Sequence, residues 1–225
     1  MKVLVVAAHP DDEVLGCGAT IAKLAAAGYE VFLAILGEGV TSRYAAREQA
    51  DKKLILELRK TAEKVRECLG AKKLFPFDFP DNRFDTVPLI DVIKTIERLI
   101  KEIKPQTVFT HHPSDLNIDH AITHRAVLTA TRPFSSCPVK EIYAFEIPSS
   151  TEWSFGHFGS FQADTFCNVE STMEMKIRTM GLYETERREF PHPRAPEALE
   201  AIAQRWGSVV GLRYAEAFET IRRQL

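Results

Sequence analysis

Five of the seven histidines of this 225-residue chain fall in two short stretches that are also crowded with carboxylates. The first is Ala8-His9-Pro10-Asp11-Asp12-Glu13. The second, about a hundred residues on, is His111-His112-Pro113-Ser114-Asp115-Leu116-Asn117-Ile118-Asp119-His120, with His124 one helical turn further. His9 and Asp12 stand three apart across a turn fixed by Pro10, so both side chains can point the same way. With one histidine of the second stretch they make a set of two imidazoles and a carboxylate, which leaves one position on a metal open. A catalytic zinc uses such a set to bring the pKa of its water to about 7, and Fe(II) accepts the same donors. Asp11, between His9 and Asp12, is badly placed for the same ion and is left free to take a proton from that water. An aspartate ahead of a helix is also an ordinary N-cap, so the first stretch read alone has a purely structural explanation.

These residues need elements that bring the two stretches together. Val3 to Val6 is a short, β-branched apolar block, as in a parallel strand covered on both faces. Apolar or small residues at Val14, Cys17, Gly18, Ile21, Leu24 and Ala25 then mark a helix that ends at Gly28. Gly16 and Gly18 inside that helix call for a close approach to the sheet. Tyr29 to Leu36, Leu74 to Phe77 and Thr107 to Thr110 read as further strands. Helices at Ile55–Leu69 and Leu89–Ile103 separate them. Strands alternating with helices in this way predict a Rossmann-like α/β fold, a mostly parallel sheet with helices on both faces. In a sheet of order 3-2-1-4, strands one and four are neighbours, and ligands sit beyond the C-terminal strand ends. Both histidine stretches follow such ends, as do Glu38 with Arg43 and Asp81-Asn82-Arg83.

The second half is less regular. Ile118 to Thr131 reads as a helix and Ile142 to Phe145 as a strand. Trp153, Phe155, His157, Phe158 and Phe161 occupy a Gly- and Ser-punctuated stretch that suits a flap, an interface or core packing. Thr165 to Val169 is a strand, and Ser171-x-x-Glu174 is a capping box opening a helix to about Tyr183. Pro191-His192-Pro193-Arg194 is a rigid connector and Pro196 to Val209 a helix, while Tyr214 to Ile221 suits either a strand or a short helix. The expected organisation is one domain over 1–225, with a Rossmann-like core at 1–146 and an irregular C-terminal extension, 147–225, packed on it.

Composition narrows the partners. Hydrophobic residues make up 45% of the chain, enough for a sizeable core, and the formal charge is only −2. Interspersed charges give no electrostatic footprint for nucleic acid or a membrane surface, so a small molecule is the expected partner. Cys17, Cys68, Cys137 and Cys167 form no Cys-x-x-Cys pair, so neither a zinc knuckle nor a disulfide framework is expected. Neither a signal peptide nor an apolar run of membrane-spanning length is expected, which together with the cysteine usage gives the reading of a cytoplasmic protein.

The first stretch, Ala8 to Glu13 directly after a strand, and the Asp119-His120 pair after the fourth strand resemble the two motifs of the LmbE-like, or PIG-L, superfamily of metal-dependent N-acetylglucosaminyl deacetylases. Leu69-Gly70, Pro80-Asp81-Asn82-Arg83 and His192-Pro193-Arg194 also look like that family. The resemblance implies His9, Asp12 and His120 as zinc ligands, Asp11 as general base, an N-acylated glucosamine-type sugar as substrate, and a homo-oligomer. In the family's second motif a histidine that steadies the oxyanion stands where this chain has Asn117. Either the Asn117 amide takes that role, or His192 or His112 substitutes for it. Asp119 is read as a carboxylate orienting His120, and His124 as a supporting or packing residue on the same helix face. Arg43, Arg83 and Arg194 are candidates for gripping hydroxyls or a phosphate on the substrate. Two other readings stay open: a phosphoesterase, which wants more bridging carboxylates, and a non-catalytic sugar- or nucleotide-binding module, which has no use for a free Asp11.

Overall fold

The computed structural model describes residues 1–224. β1 (Lys2–Ala7), β2 (Glu30–Gly37), β3 (Lys73–Phe79), β4 (Thr107–His111) and β5 (Glu141–Phe145) pair in parallel. Their connections are α1 (Asp12–Ala26), α2 (Lys52–Cys68), α3 (Leu89–Ile103) and α4 (Ile118–Ala130). The strand order begins β3-β2-β1-β4-β5 and continues with β7 (Ala215–Arg223) and β6 (Thr165–Asn168), so β1 and β4 are hydrogen-bonded neighbours, with Val3 opposite Thr107 and Val5 opposite Phe109. Their C-terminal ends therefore deliver both histidine stretches to one edge, which is why residues a hundred apart meet.

The apolar alternation of the strands feeds two cores, one on each face of the sheet. Val3, Val5 and Leu33 pack with Val14, Leu15, Val65 and Leu199 on one side. Leu4, Val6 and Val108 pack with Ile96, Leu99 and Val127 on the other. Burying both faces of β1 is what lets Val3–Val6 be an uninterrupted apolar run.

The C-terminal part is more regular than the sequence suggests. β6 (Thr165–Asn168) and β7 (Ala215–Arg223) extend the same sheet, β7 running antiparallel to both β5 and β6. The ambiguous stretch from Tyr214 is thus a strand, because its register against β5 and β6 leaves no unpaired role for it. The capping box at Ser171 does not form. α5 (Met173–Met180) starts two residues later, with no side-chain cap at Thr172, since the backbone turns instead through N–H bonds from Thr172 and Met173 to the Val169 carbonyl. α6 (Pro196–Val209) opens on Pro196, where a missing N–H costs nothing. Thr41–Arg43 and Arg47–Gln49 form short 3-10 turns, and α2 begins only after the Asp51 cap.

α1 is kinked at Cys17, whose backbone is non-helical (φ −151°, ψ 26°). A Cβ on Gly16 would lie 2.4 Å from the Phe145 ring, so glycine is what lets the helix touch β5 there. The kink frees backbone groups that a buried ion pair satisfies. Glu216 of β7 accepts the N–H of Ala19 (3.2 Å) and Thr20 (2.7 Å), while Lys176 of α5 donates to the Leu15 carbonyl (2.7 Å) and to Glu216 (2.6 Å).

Candidate metal centre and catalytic cavity

The first motif leaves β1 in a tight turn. Gly37 ends β2 against it, donating its N–H to the Ala8 carbonyl at 2.7 Å. A Cβ on Gly37 would fall 2.8 Å from that oxygen and 3.2 Å from the His9 ring. Asp11 then takes a left-handed backbone conformation, φ 106°, which is costly for a residue with a Cβ. It stands at the N-cap of α1, yet its side chain makes no capping bond. The turn is held instead by Glu13, which accepts the Asp11 N–H (3.0 Å) and the Tyr183 hydroxyl (2.5 Å). Burial outweighs those bonds and pushes the Glu13 carboxyl up to about 7.

Asp12 Oδ2 is the meeting point of the two stretches. It lies 3.3 Å from His9 Nδ1, 3.3 Å from His120 Nε2 and 3.5 Å from His111 Nε2, and accepts the His9 N–H at 2.8 Å. The donor atoms of His9, Asp12 and His120 all fall within 4.8 Å of one another, and all three residues are buried. Each imidazole is backed by its own carboxylate. His9 Nε2 is 2.9 Å from Asp119 Oδ2, and His120 Nδ1 is 3.1 Å from Asp115 Oδ2. Asp119 therefore steadies His9, not His120 as its neighbouring position suggests. Its other oxygen takes the Phe84 N–H at 2.9 Å, fixing the carboxylate between strand-end loops. Asp115 is more than a turn residue. It receives the hydroxyls of Ser150 and Thr151 as well as the Asn117 N–H, and so is set rigidly behind His120.

The donor set fits a divalent ion on an observation independent of spacing. Both ring nitrogens of His120 are buried and neither has a well-aligned hydrogen bond, an expensive state that ligation of one nitrogen relieves. Charges around the rings point the same way. Burial disfavours charged His120, yet Asp12 and Asp115 raise it to about 9. Burial likewise disfavours charged His9, but bonds to Asp119 and Asp12 lift it well above its usual value. Burial works against the Asp12 charge, and His120 and His111 overcome it, holding that carboxyl well below the usual range. A cluster that draws protons onto imidazoles around carboxylates is one a cation can replace. A second trio, His9 with Asp81 and Asp119, shares His9. Its carboxylates already carry bonds: Asp81 Oδ2 accepts from the Ser42 N–H (3.0 Å) and hydroxyl (2.7 Å), Asp81 Oδ1 accepts from Asn82 Nδ2 (3.0 Å), and Asp119 is bonded as above.

Beside this cluster lies a cavity of about 120 Å³. Its wall includes the candidate ligands His9, Asp12 and His120, the acids Asp11, Asp81 and Glu186, and Asn117, Arg43 and Arg194. Asp11 turns its carboxylate to Arg194 Nη1 at 2.7 Å. Arg194 Nε in turn donates to Ser149 Oγ at 2.8 Å. Burial raises the Asp11 carboxyl well above its usual range, with the charges of Asp12, Glu186 and Glu13 adding to it and Arg194 opposing. That is the setting of a carboxylate able to hold a proton.

The remaining expected residues divide. Asn117 lines the cavity, but its Oδ1 caps α4 through the Asp119 N–H (2.9 Å) and its Nδ2 donates to Asn82 (2.9 Å), leaving one N–H. His192 does not line it. The His192 ring sits against Trp153 (centroids 5.5 Å apart), with Nδ1 accepting the Arg194 N–H at 3.1 Å. His112 faces Glu219 at 3.2 Å and Phe161. Neither candidate substitute histidine lines the cavity: His192 is held by Trp153 and the Arg194 N–H, and His112 by Glu219 and Phe161. Arg83 also lies outside the cavity lining, unlike Arg43 and Arg194. His124 Nδ1 bonds the His111 carbonyl (2.8 Å), so it ties α4 to β4 instead of supporting His120. Sequence reasoning missed Glu186 and the pairing roles of Asp115 and Glu13. Only the third acid of the first motif and the carboxylate five residues before His120 offered a signal.

A mostly parallel sheet with a polar cavity at its C-terminal edge, beside the β1–β4 switch point, defines a Rossmann-like α/β protein. Residues 4–131 match the family described as PIG-L, GlcNAc-PI de-N-acetylase, and the chain belongs to that family. It is similar to the diacetylchitobiose deacetylase of Thermococcus kodakarensis, 27% identical over 98% of this chain and 83% of the relative. It is also similar to a probable N-acetyl-α-D-glucosaminyl L-malate deacetylase of Bacillus cereus, 29% identical over 82% and 83%. The fold is that of the N,N'-diacetylchitobiose deacetylase of Pyrococcus horikoshii (TM-score 0.76, 22% identity, 98% and 84% covered). It is equally that of the 4-carboxy-2-hydroxymuconate hydratase of Pseudomonas putida (TM-score 0.75, 22% identity, 100% and 97% covered), so the architecture alone does not select a reaction.

Proposed function

We propose that this protein is a metal-dependent amidohydrolase that removes an N-acyl group, acetyl in the first instance, from a glucosamine-type sugar or conjugate. The observation that carries this reading is Asp11: a carboxylate at a helix start that caps nothing, lines the cavity, and sits beside a trio of potential metal ligands. A binding module has no use for it. The named deacetylase relatives agree with the reading.

His9, Asp12 and His120 are the residues that would hold the ion, zinc by the donor set, with Fe(II) accepting the same ligands. Such an ion supplies Lewis acidity toward an amide carbonyl and acidifies water. Everything else falls to the chain. Asp119 bonds the His9 ring and Asp115 stands 3.1 Å behind His120 Nδ1, so each carboxylate helps to orient one imidazole. Asp11 takes a proton from the attacking water and returns it to the departing sugar amine, with Arg194 holding the carboxylate in place. The free N–H of Asn117, the residue of the expected oxyanion donors that does line the cavity, faces the developing negative charge. The phosphoesterase reading lacks support, since Asp81 and Asp119 are engaged elsewhere and no second ligand set independent of His9 is found among the described residues.

The test is release of free amine from an N-acetylglucosamine disaccharide, with metal content measured on the same preparation. Asp11→Asn keeps shape but cannot take a proton. It should retain about one metal per chain and lose roughly 10²- to 10⁴-fold in turnover. Unchanged turnover in Asp11→Asn would sink the mechanism, and metal loss would make Asp11 a ligand.

A further inference from the structure

Three guanidinium groups converge on one carboxylate at the edge of the cavity. Glu186 Oε1 receives Arg43 and the Thr185 hydroxyl (3.0 Å), and Oε2 lies 3.6 Å from Arg194 Nη1 and 4.0 Å from Arg188 Nη2. Glu186 is 9% exposed, whereas the side chains of Arg43 and Arg188 are 42% and 41% exposed. Arg43 and Glu186 arrive from segments 143 residues apart and meet on the cavity wall. Among the described residues Arg43 has no other carboxylate partner. Arginines clustered around a pair of oxygens are what proteins use to grip a carboxylate or phosphate. Here the chain supplies the anion itself.

We propose that Glu186 is a specificity-determining residue. It fills an anion subsite beside the reacting sugar, so that the enzyme takes substrates that are uncharged there and rejects those carrying a carboxylate or phosphate. This rests on the deacetylase reading of the cavity. An incoming anion would meet Glu186 together with Asp11 and Asp81, which line the same cavity. To reach the guanidiniums it would have to displace Glu186, and a buried carboxylate stripped of its partners is strongly unfavourable. Glu186→Gln removes the charge while leaving an oxygen for Arg43, and so exposes three arginines to a substrate anion.

The experiment compares two β-linked N-acetylglucosaminides that differ only in the aglycone, one ending in a carboxylate and the other in the primary amide. The wild type should favour the amide. In Glu186→Gln the ratio of kcat/KM for carboxylate over amide should rise roughly tenfold or more, the size of one gained charge-assisted bond. The readout is the ratio between two substrates within one variant, which cancels any effect that Glu186 has on Asp11 through their shared partner Arg194. Glu174→Gln, an exposed position on α5, removes the same formal charge and should leave the ratio unmoved. Inorganic phosphate, measured by calorimetry at fixed ionic strength, should bind Glu186→Gln more tightly than wild type. A wild-type preference for the carboxylate, or an unchanged ratio and unchanged phosphate binding in the variant, overturns the proposal. If the wild type cleaves neither substrate, the deacetylase reading fails, and phosphate binding still decides whether Glu186 fills an anion subsite.

Discussion

Asp119 and Asp115 divide the work of holding two imidazoles, and that division sets the metal affinity expected of the site. Asp119 faces His9 across 110 residues of sequence, and Asp115 faces the nearer His120. Asp119→Ala should lower metal affinity by roughly 10- to 100-fold, the usual effect of losing the carboxylate behind a ligating histidine. Competition with a chelator measures it. His120→Ala should remove most of the metal outright. His124→Ala should keep it, since His124 spends its nitrogen on the His111 carbonyl. Metal lost from the His124 variant but retained in His120→Ala would reassign the third ligand.

At the scale of elements, the site depends on how α1 leaves β1. The helix must start at the metal cluster and still pack against β5, and the kink at Cys17 reconciles the two. Its freed backbone groups are satisfied by Lys176 and Glu216, which belong to α5 and β7. Removing one member of a buried pair leaves an uncompensated charge. Lys176→Met should therefore destabilise the fold by about 3–5 kcal/mol, read as a lower denaturant midpoint with an unchanged slope. A loss below about 1 kcal/mol would show that the pair is solvated.

At the scale of the molecule, the C-terminal part completes the cavity. The family match covers 4–131, yet Glu186 and Arg194 line the same cavity as His9 and His120. Glu146, at the end of β5, accepts the Trp206 Nε1–H of α6 at 2.5 Å and so fastens this part to the sheet. Burial raises the Glu146 carboxyl above its ordinary 4.5, against the Trp206 bond. A carboxyl raised on folding favours the folded state fully below its unfolded pKa, and that contribution is lost as pH rises through the folded value. Glu146→Gln keeps an acceptor for Trp206 and does not titrate. Relative to wild type, its melting temperature should thus climb as pH rises from about 4.5. A constant difference across that range would place Glu146 in water. No helix among the described residues is long and apolar enough to cross a membrane.

The alternating strand–helix order, the adjacency of β1 and β4, and the arrival of His9, Asp11, Asp12 and a histidine of the second stretch at one edge were legible in the sequence, whereas His120 was singled out by the family resemblance alone. Those features are legible because they follow from local patterns: an apolar run that must be buried on both faces, and polar groups placed directly after it. What the sequence left open depends on side chains that meet only after packing. Asp119 adjoins His120 in the chain, but helix geometry turns it toward His9. The Asn117 side chain is divided by packing, its Oδ1 capping α4 and one N–H going to Asn82, so that a single N–H is left. His192 has the chemistry of an oxyanion donor, and Trp153 holds it away from the cavity. Glu186 carries no motif at all. Only the return of the C-terminal segment across the sheet edge sets it among three arginines, because such a contact is fixed by the packing of distant elements and not by any spacing along the chain.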